Sequence, residues 1–210
     1  MNDTPGPRPL AGLTQSPIRA PSASAAKSVA ADLKPLSADH PEIAEVLAGE
    51  GPPRDFLLAA MALSPFLRET AMADPHSLAL ALSTPAAEIV AETVTAARAA
   101  WRGPDGGLAS EAELMAGLRR AKRRVSLTLA LNDLSRLIDA RQTTAALSDL
   151  ADASLGAAFD HLLRAGHDSG KLRLPDPDRP SEKSGLIVLG MGKHGARELN
   201  YSSDIDIVVF

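Results

Sequence analysis

The chain is punctuated by pairs in which a capping residue precedes a proline: Ser64-Pro65, Asp74-Pro75 and Thr84-Pro85. Ser, Thr and Asp side chains accept hydrogen bonds from the unsatisfied first amides of a helix. Proline is tolerated at the first helical position because its missing N–H would have had no partner there. Ser110-Glu111-Ala112-Glu113 adds a capping box, with the serine at the cap and a glutamate three residues on. After these marks apolar residues recur with a period near 3.6. Leu114, Leu118, Ala121, Val125 and Leu134 form one stripe, and Leu147, Leu150, Ala151, Leu155, Ala158 and Leu162 form the next. The pattern predicts a mostly α architecture over residues 26–165, broken by the turn-rich Gly103 to Gly107. With aromatics at only 3%, the core must come from Leu, Ala, Val and Ile. Fully burying one leucine contributes roughly 1.5–3 kcal/mol, so such stripes can hold helices together without a cofactor.

Residues 1–25 carry Pro5, Pro7, Pro9, Pro17 and Pro21 among small residues and read as a flexible leader. They lack the charged-then-apolar pattern of a secretory signal. Residues 166–184, interrupted by Gly166, Gly170, Pro175, Pro177 and Pro180, read as a linker. The longest apolar run, Phe56 to Leu63, is far shorter than the roughly 20 residues that span a bilayer. The net charge of −4 and pI near 5.7 give no basic footprint for nucleic acid. The absence of cysteine removes disulfides and thiolate metal sites and fits a cytoplasmic location.

Chemistry is concentrated in residues 185–210. Leu186 to Leu189 is a short apolar run suited to a buried strand. A glycine-rich turn follows with Gly190, Gly192 and Gly195, and then a second strand that opens with Asp204-Ile205-Asp206. Alternation along a strand sends both carboxylates to one face and Ile205, Ile207 and Val209 to the other. Two neighbouring carboxylates repel, and a hard divalent cation resolves the conflict. Mg²⁺ is commonly held by one or two carboxylates together with substrate phosphates. Glycines permit the close backbone approach and positive φ that a phosphate-cradling turn needs. Gly190-x-Gly192-x-x-Gly195 also matches the dinucleotide fingerprint letter for letter. That fingerprint requires a full crossover helix with an acid about 20 residues on, whereas here the next strand begins almost at once. A solvated strand start is the remaining alternative for the two aspartates.

The run Gly-Met-Gly-Lys-x-Gly-x-x-Glu-Leu-Asn-x-Ser-Ser-Asp-Ile-Asp, present as Gly190 to Asp206, closely resembles the bifunctional glutamine synthetase adenylyltransferase/adenylyl-removing enzymes. Ser64-Pro65-Phe66-Leu67, Asp74-Pro75 and the basic helix from Leu118 to Arg124 leading to Leu131-Asn132-Asp133-Leu134 resemble the helical region of that family. The resemblance implies a helical N-terminal region leading into the first two strands of an α+β nucleotidyltransferase domain, incomplete here. It implies that the first of two tandem catalytic domains removes AMP from a tyrosine of glutamine synthetase by phosphorolysis, releasing ADP, and that a second domain adds AMP from ATP. Carried over by position, Asp204 and Asp206 are the catalytic metal ligands for Mg²⁺. Gly190, Gly192, Lys193, Gly195, Ser202 and Ser203 face nucleotide or phosphate. A third carboxylate is expected on a later strand, so these 210 residues alone are expected to be inactive. The implied partners are glutamine synthetase, a PII signalling protein, ATP, ADP and phosphate. Competing readings are a non-catalytic helical docking module for glutamine synthetase or a PII protein, and a nucleotidyltransferase with another substrate.

Other positions are expected to be structural. His194 has no second ligand-type residue at metal spacing and is read as solvent-exposed, and it stands where the family commonly has Leu. Arg197-Glu198 is read as an ion pair. Trp101 is read as a packing anchor. The run Arg119, Arg120, Lys122, Arg123, Arg124 reads either as a solvated face or as a grip for an acidic partner.

Overall fold

A computed structural model describes residues 9–210. Among these residues it holds nine α-helices and two short antiparallel strands. The helices are α1 (Ala23–Leu33), α2 (Pro41–Ala48), α3 (Pro52–Leu63), α4 (Pro65–Ala73), α5 (Pro75–Ser83), α6 (Ala86–Ala99), α7 (Glu111–Leu134), α8 (Ala140–Asp168) and α9 (Gly192–Gly195). The strands are β1 (Val188–Gly190) and β2 (Ile207–Val209). The mostly helical expectation with two strands at the end is thus met.

The starts of α4, α5 and α7 follow the expected chemistry, whereas α6 begins at Ala86, one residue after the expected first position Pro85. Ser64 Oγ accepts from the Leu67 amide at 3.3 Å and opens α4, and an Asp74 carboxylate oxygen accepts from the Ser77 amide at 3.1 Å and opens α5. At α7 the capping box closes in both directions. The Glu113 amide donates to Ser110 Oγ at 3.2 Å, and the Ser110 amide donates to Glu113 Oε2 at 2.8 Å. The Ser110 hydroxyl, donating to Glu113 Oε2 at 2.7 Å, and the Ser110 amide together hold the Glu113 carboxyl below the ordinary glutamate range. The end of α7 terminates without glycine. Arg136, at φ 61°, takes the left-handed position, and the Leu137 amide donates back to Asn132 O at 2.9 Å.

The chain divides into two compact units. One contains the described residues up to Ala91 with Arg123–Ala140. Its core is built on α3, whose Phe56, Leu57, Leu58, Ala60 and Met61 are buried with Ile43, Leu78, Leu82, Leu127 and Leu131. Leu10 and Leu13 belong to the same core, and Ser22 caps α1 through the Ala25 amide. Ordered packing therefore reaches back into the expected leader of residues 1–25. Two leucines gain enough from burial to hold a proline-interrupted strap. Residues 1–8 of that leader lie outside the described residues.

The other unit contains Glu92–Lys122 and Arg141–Phe210. Trp101 is buried with Leu114 and Ala157, as an anchor should be, and His161 is buried with Nε2 2.9 Å from Ala109 O. Leu162 is exposed, so the stripe on α8 turns away from its expected course near the C-terminal end. The expected linker begins later than residue 166, because α8 runs to Asp168. It is tied down: the Leu174 amide donates to His167 Nδ1 at 3.2 Å, and Arg164 donates to Pro177 O at 3.0 Å. The expected single helical region of residues 26–165 is thus shared between two units.

No single helix among the described residues is long and apolar enough to cross a membrane. The α3–α4 pair passes by length and composition only, and it bends by 108°.

Candidate functional site

β1 and β2 pair Val188 with Val209, Leu189 with Val208 and Gly190 with Ile207. The ladder continues beyond both ends. The Met191 amide donates to Asp206 O at 2.8 Å, while Ile187 and Phe210 exchange two bonds of 2.9 Å. The first strand sits two residues later than the start of the apolar run, and the second starts at Ile207 rather than at Asp204. Asp204 and Asp206 therefore lie on the approach to β2, with Asp206 fixed to the ribbon through its carbonyl.

Between the strands the glycine turn winds into the single turn of α9. Its three glycines are required for three different reasons. Gly190 faces the His194 ring, where an added Cβ would stand 3.1 Å from Nδ1. Gly195 lies against the Gly190 backbone, where a Cβ would come within 2.4 Å of the carbonyl oxygen. Gly192 has φ 52°, and its Cβ would stand 3.2 Å from Asp206 Oδ2. The last contact brings one of the two aspartates directly against the turn.

Asp204 and Asp206 are exposed, and neither carboxylate has a hydrogen bond or ion pair among the described residues. Two hard, uncommitted oxygen donors, of which Asp206 lies against the glycine turn, suit Mg²⁺, which needs few protein ligands when phosphate and water complete its shell. Among the described residues no group of three acidic or histidine side chains is placed to hold a metal. The pair could therefore offer two ligands and not a complete cage. Lys193 is exposed on the same turn, and its ammonium has no partner among the described residues.

Ser202 and Ser203 differ. Ser203 Oγ donates to Asn200 Oδ1 at 2.9 Å and accepts from the Asn200 amide at 3.1 Å, so its one proton is committed to closing the turn. The Ser202 amide donates to Asn200 Oδ1 at 3.0 Å, and its hydroxyl stays exposed. Asn200 organises this loop, and the spacing argument assigned it nothing. Its signal was an Asn two and three residues ahead of serines, the arrangement of an Asx turn.

His194 corrects the sequence expectation. It is buried, at 5% exposure, and not on the solvent side. Its Nε2 lies 2.7 Å from Asp152 Oδ1 on α8. An ionised carboxylate only accepts, so Nε2 carries the proton. Its Nδ1 is buried without a hydrogen-bond partner. Arg197 also departs from expectation: it pairs with α8 and not with Glu198. It lies 2.5 Å from Asp149 Oδ1 and 3.6 Å from Asp152 Oδ2. The Asp149 hydrogen bond and charge push its guanidinium further above its ordinary range. Arg197 ends α9 at φ 60°, with the Glu198 amide donating to Lys193 O at 2.7 Å. A left-handed conformation costs a non-glycine residue roughly 1–2 kcal/mol.

A family model described as glutamate-ammonia ligase adenylyltransferase matches residues 55–210. The chain is 54% identical over 184 residues to the bifunctional glutamine synthetase adenylyltransferase/adenylyl-removing enzyme of Agrobacterium fabrum, covering 88% of this chain and 19% of that protein. It is 50% identical over 204 residues to the protein of the same name from Rhizobium meliloti, covering 97% of this chain and 21% of that one. The Brucella suis protein is 43% identical over 190 residues, 88% of this chain and 19% of its own length. The chain thus spans about a fifth of the length of these curated relatives.

Proposed function

Because this chain belongs to the glutamate-ammonia ligase adenylyltransferase family, we propose that residues 185–210 open the adenylyl-removing nucleotidyltransferase domain of a cytoplasmic regulator of glutamine synthetase. The observation that carries this reading is the Asp206 carboxylate seated against Gly192, with Asp204 two residues before it and neither paired with a Lys or Arg among the described residues. α8 supports the ribbon through Asp149 and Asp152.

In the proposed reaction inorganic phosphate attacks the phosphorus of adenylyl-tyrosine. A new P–O bond forms ADP, and the bond to the tyrosine oxygen breaks. The leaving phenol has an unperturbed pKa near 10, so charge must be neutralised as it departs. Asp204 and Asp206 would hold Mg²⁺, which would supply that neutralisation when bound. The glycine turn lets phosphate oxygens approach the backbone, the exposed Ser202 hydroxyl donates to them, and Lys193 adds a point charge. Ser203 acts by holding the Asn200 turn. A further carboxylate would complete the site, since no third acid or histidine joins the pair among the described residues. AMP attachment from ATP, and control by a PII protein, belong to the rest of the full-length protein.

In the full-length enzyme, Asp204→Asn combined with Asp206→Asn is expected to abolish removal of AMP from glutamine synthetase while attachment persists. Loss of both activities together would contradict the domain assignment. The 210-residue chain alone is expected to show no adenylyl removal or transfer, and robust metal-dependent turnover by it would contradict the incomplete-site reading.

A further inference from the structure

We propose that Asp149 and Asp152 of α8, acting on Arg197 and His194, are positioning residues that set the glycine turn and, through Gly192, the Asp206 carboxylate. This proposal rests on the adenylyl-removing reading of the same site. The two acids stand one helical turn apart, and both reach the same short segment. Asp152 is shared, with Oδ1 on His194 and Oδ2 on Arg197.

The route from helix to metal ligand is short. Asp152 fixes the His194 ring, which fills the space that a Cβ on Gly190 would take. Gly195 then packs on the Gly190 backbone, and the turn presents Gly192 to Asp206 Oδ2. A two-stranded ribbon is marginal on its own, whereas α8 is 29 residues long. The helix supplies the rigidity that the ribbon lacks.

A role in packing alone would be served better by an apolar side chain at position 194. The imidazole instead brings a buried Nδ1 without a hydrogen bond, and Arg197 adopts a backbone conformation that favours glycine. Both unfavourable features point their side chains at α8. A ligand-supporting contact typically changes metal affinity by about 10–100-fold.

The test uses the full-length protein and Mn²⁺ as probe, with binding followed by electron paramagnetic resonance in the absence of substrate. Asp204→Asn with Asp206→Asn should delete one Mn²⁺ site. Asp152→Ala should weaken that same site by about 10-fold and raise the Mg²⁺ needed for half-maximal AMP removal in parallel, with AMP attachment unchanged. Asp152→Asn, which can still accept from His194 Nε2, should restore most of the affinity. Arg197→Ala, at an exposed side chain, should give a smaller shift in the same direction. If Asp152→Ala and Arg197→Ala both leave the Mn²⁺ affinity of that site unchanged, the positioning proposal is overturned even though the metal site stands. If the double aspartate variant keeps every Mn²⁺ site, the reading beneath it fails as well.

Discussion

Phe56, Leu57 and Leu131 are at most 1% exposed, whereas Ile187, Val209 and Phe210 are 58%, 45% and 70% exposed. Both sets are apolar, and the difference lies in how each backbone is satisfied. A helix closes its own hydrogen bonds and needs only a neighbour for one stripe. Around α3 those neighbours are other helices of the same unit. A strand needs partners on its edges and cover on its faces. Among the described residues β1 and β2 have each other, and beyond the half-buried Val188 and Ile207 their residues are exposed. What fixes the ribbon is a few polar contacts from the turn to α8, with buried Leu199 and His194. The helical core is held by burial, and the site is held by directed bonds.

That contrast can be broken by mutation. Phe56→Ala should cost about 3–5 kcal/mol in urea denaturation of this chain, whereas Phe210→Ala, at a largely exposed position, should change stability by less than about 0.5 kcal/mol. Equal costs would mean that the ribbon is packed after all. Ser110→Ala should cost an intermediate 0.5–2 kcal/mol or so, since it opens the capping box of α7. Asp204→Asn with Asp206→Asn should leave the thermal midpoint nearly unchanged, because neither carboxylate has a partner to lose. A large drop would assign the pair a structural role.

The smallest effect is on pH. Hydrogen bonds from Ser110 depress the Glu113 carboxyl below its ordinary value of 4.5. Its contribution is therefore present above that value and is lost as pH falls through the depressed folded pKa. Glu113→Gln should remove this acid-side loss from the pH dependence of chain stability, as measured by circular dichroism across pH 3–6, on the order of the range over which a free carboxyl titrates. An unchanged acid limb would remove the capping box as its source.

How much could be read from the sequence follows the same division. The starts of α4, α5 and α7 were legible because a cap acts over three residues. The two-strand ribbon with a glycine turn was legible because its bonds join residues about 20 apart. The roles of Leu10 and Leu13 were not, since prolines nearby masked two residues whose burial depends on distant helices. His194 was misread for the same reason. Its partner Asp152 is 42 residues away on α8, and spacing within the motif carries no trace of it. The available hint was the pair Asp149 and Asp152, two acids one turn apart on a helix. The shift of β2 to Ile207 reflects where the ladder closes: Asp206 contributes a carbonyl, and Asp204 makes no ladder bond.

The most direct test of the central claim is anomalous diffraction from crystals of the intact protein soaked with Mn²⁺ and phosphate. A peak about 2.1–2.2 Å from a carboxylate oxygen of both Asp204 and Asp206, with phosphate bridging it to the Gly190–Gly195 turn, is the expected result; the distance is the usual range for small hard divalent cations, roughly that of Mg²⁺. Manganese bound elsewhere, with these two carboxylates directed into solvent, would contradict it.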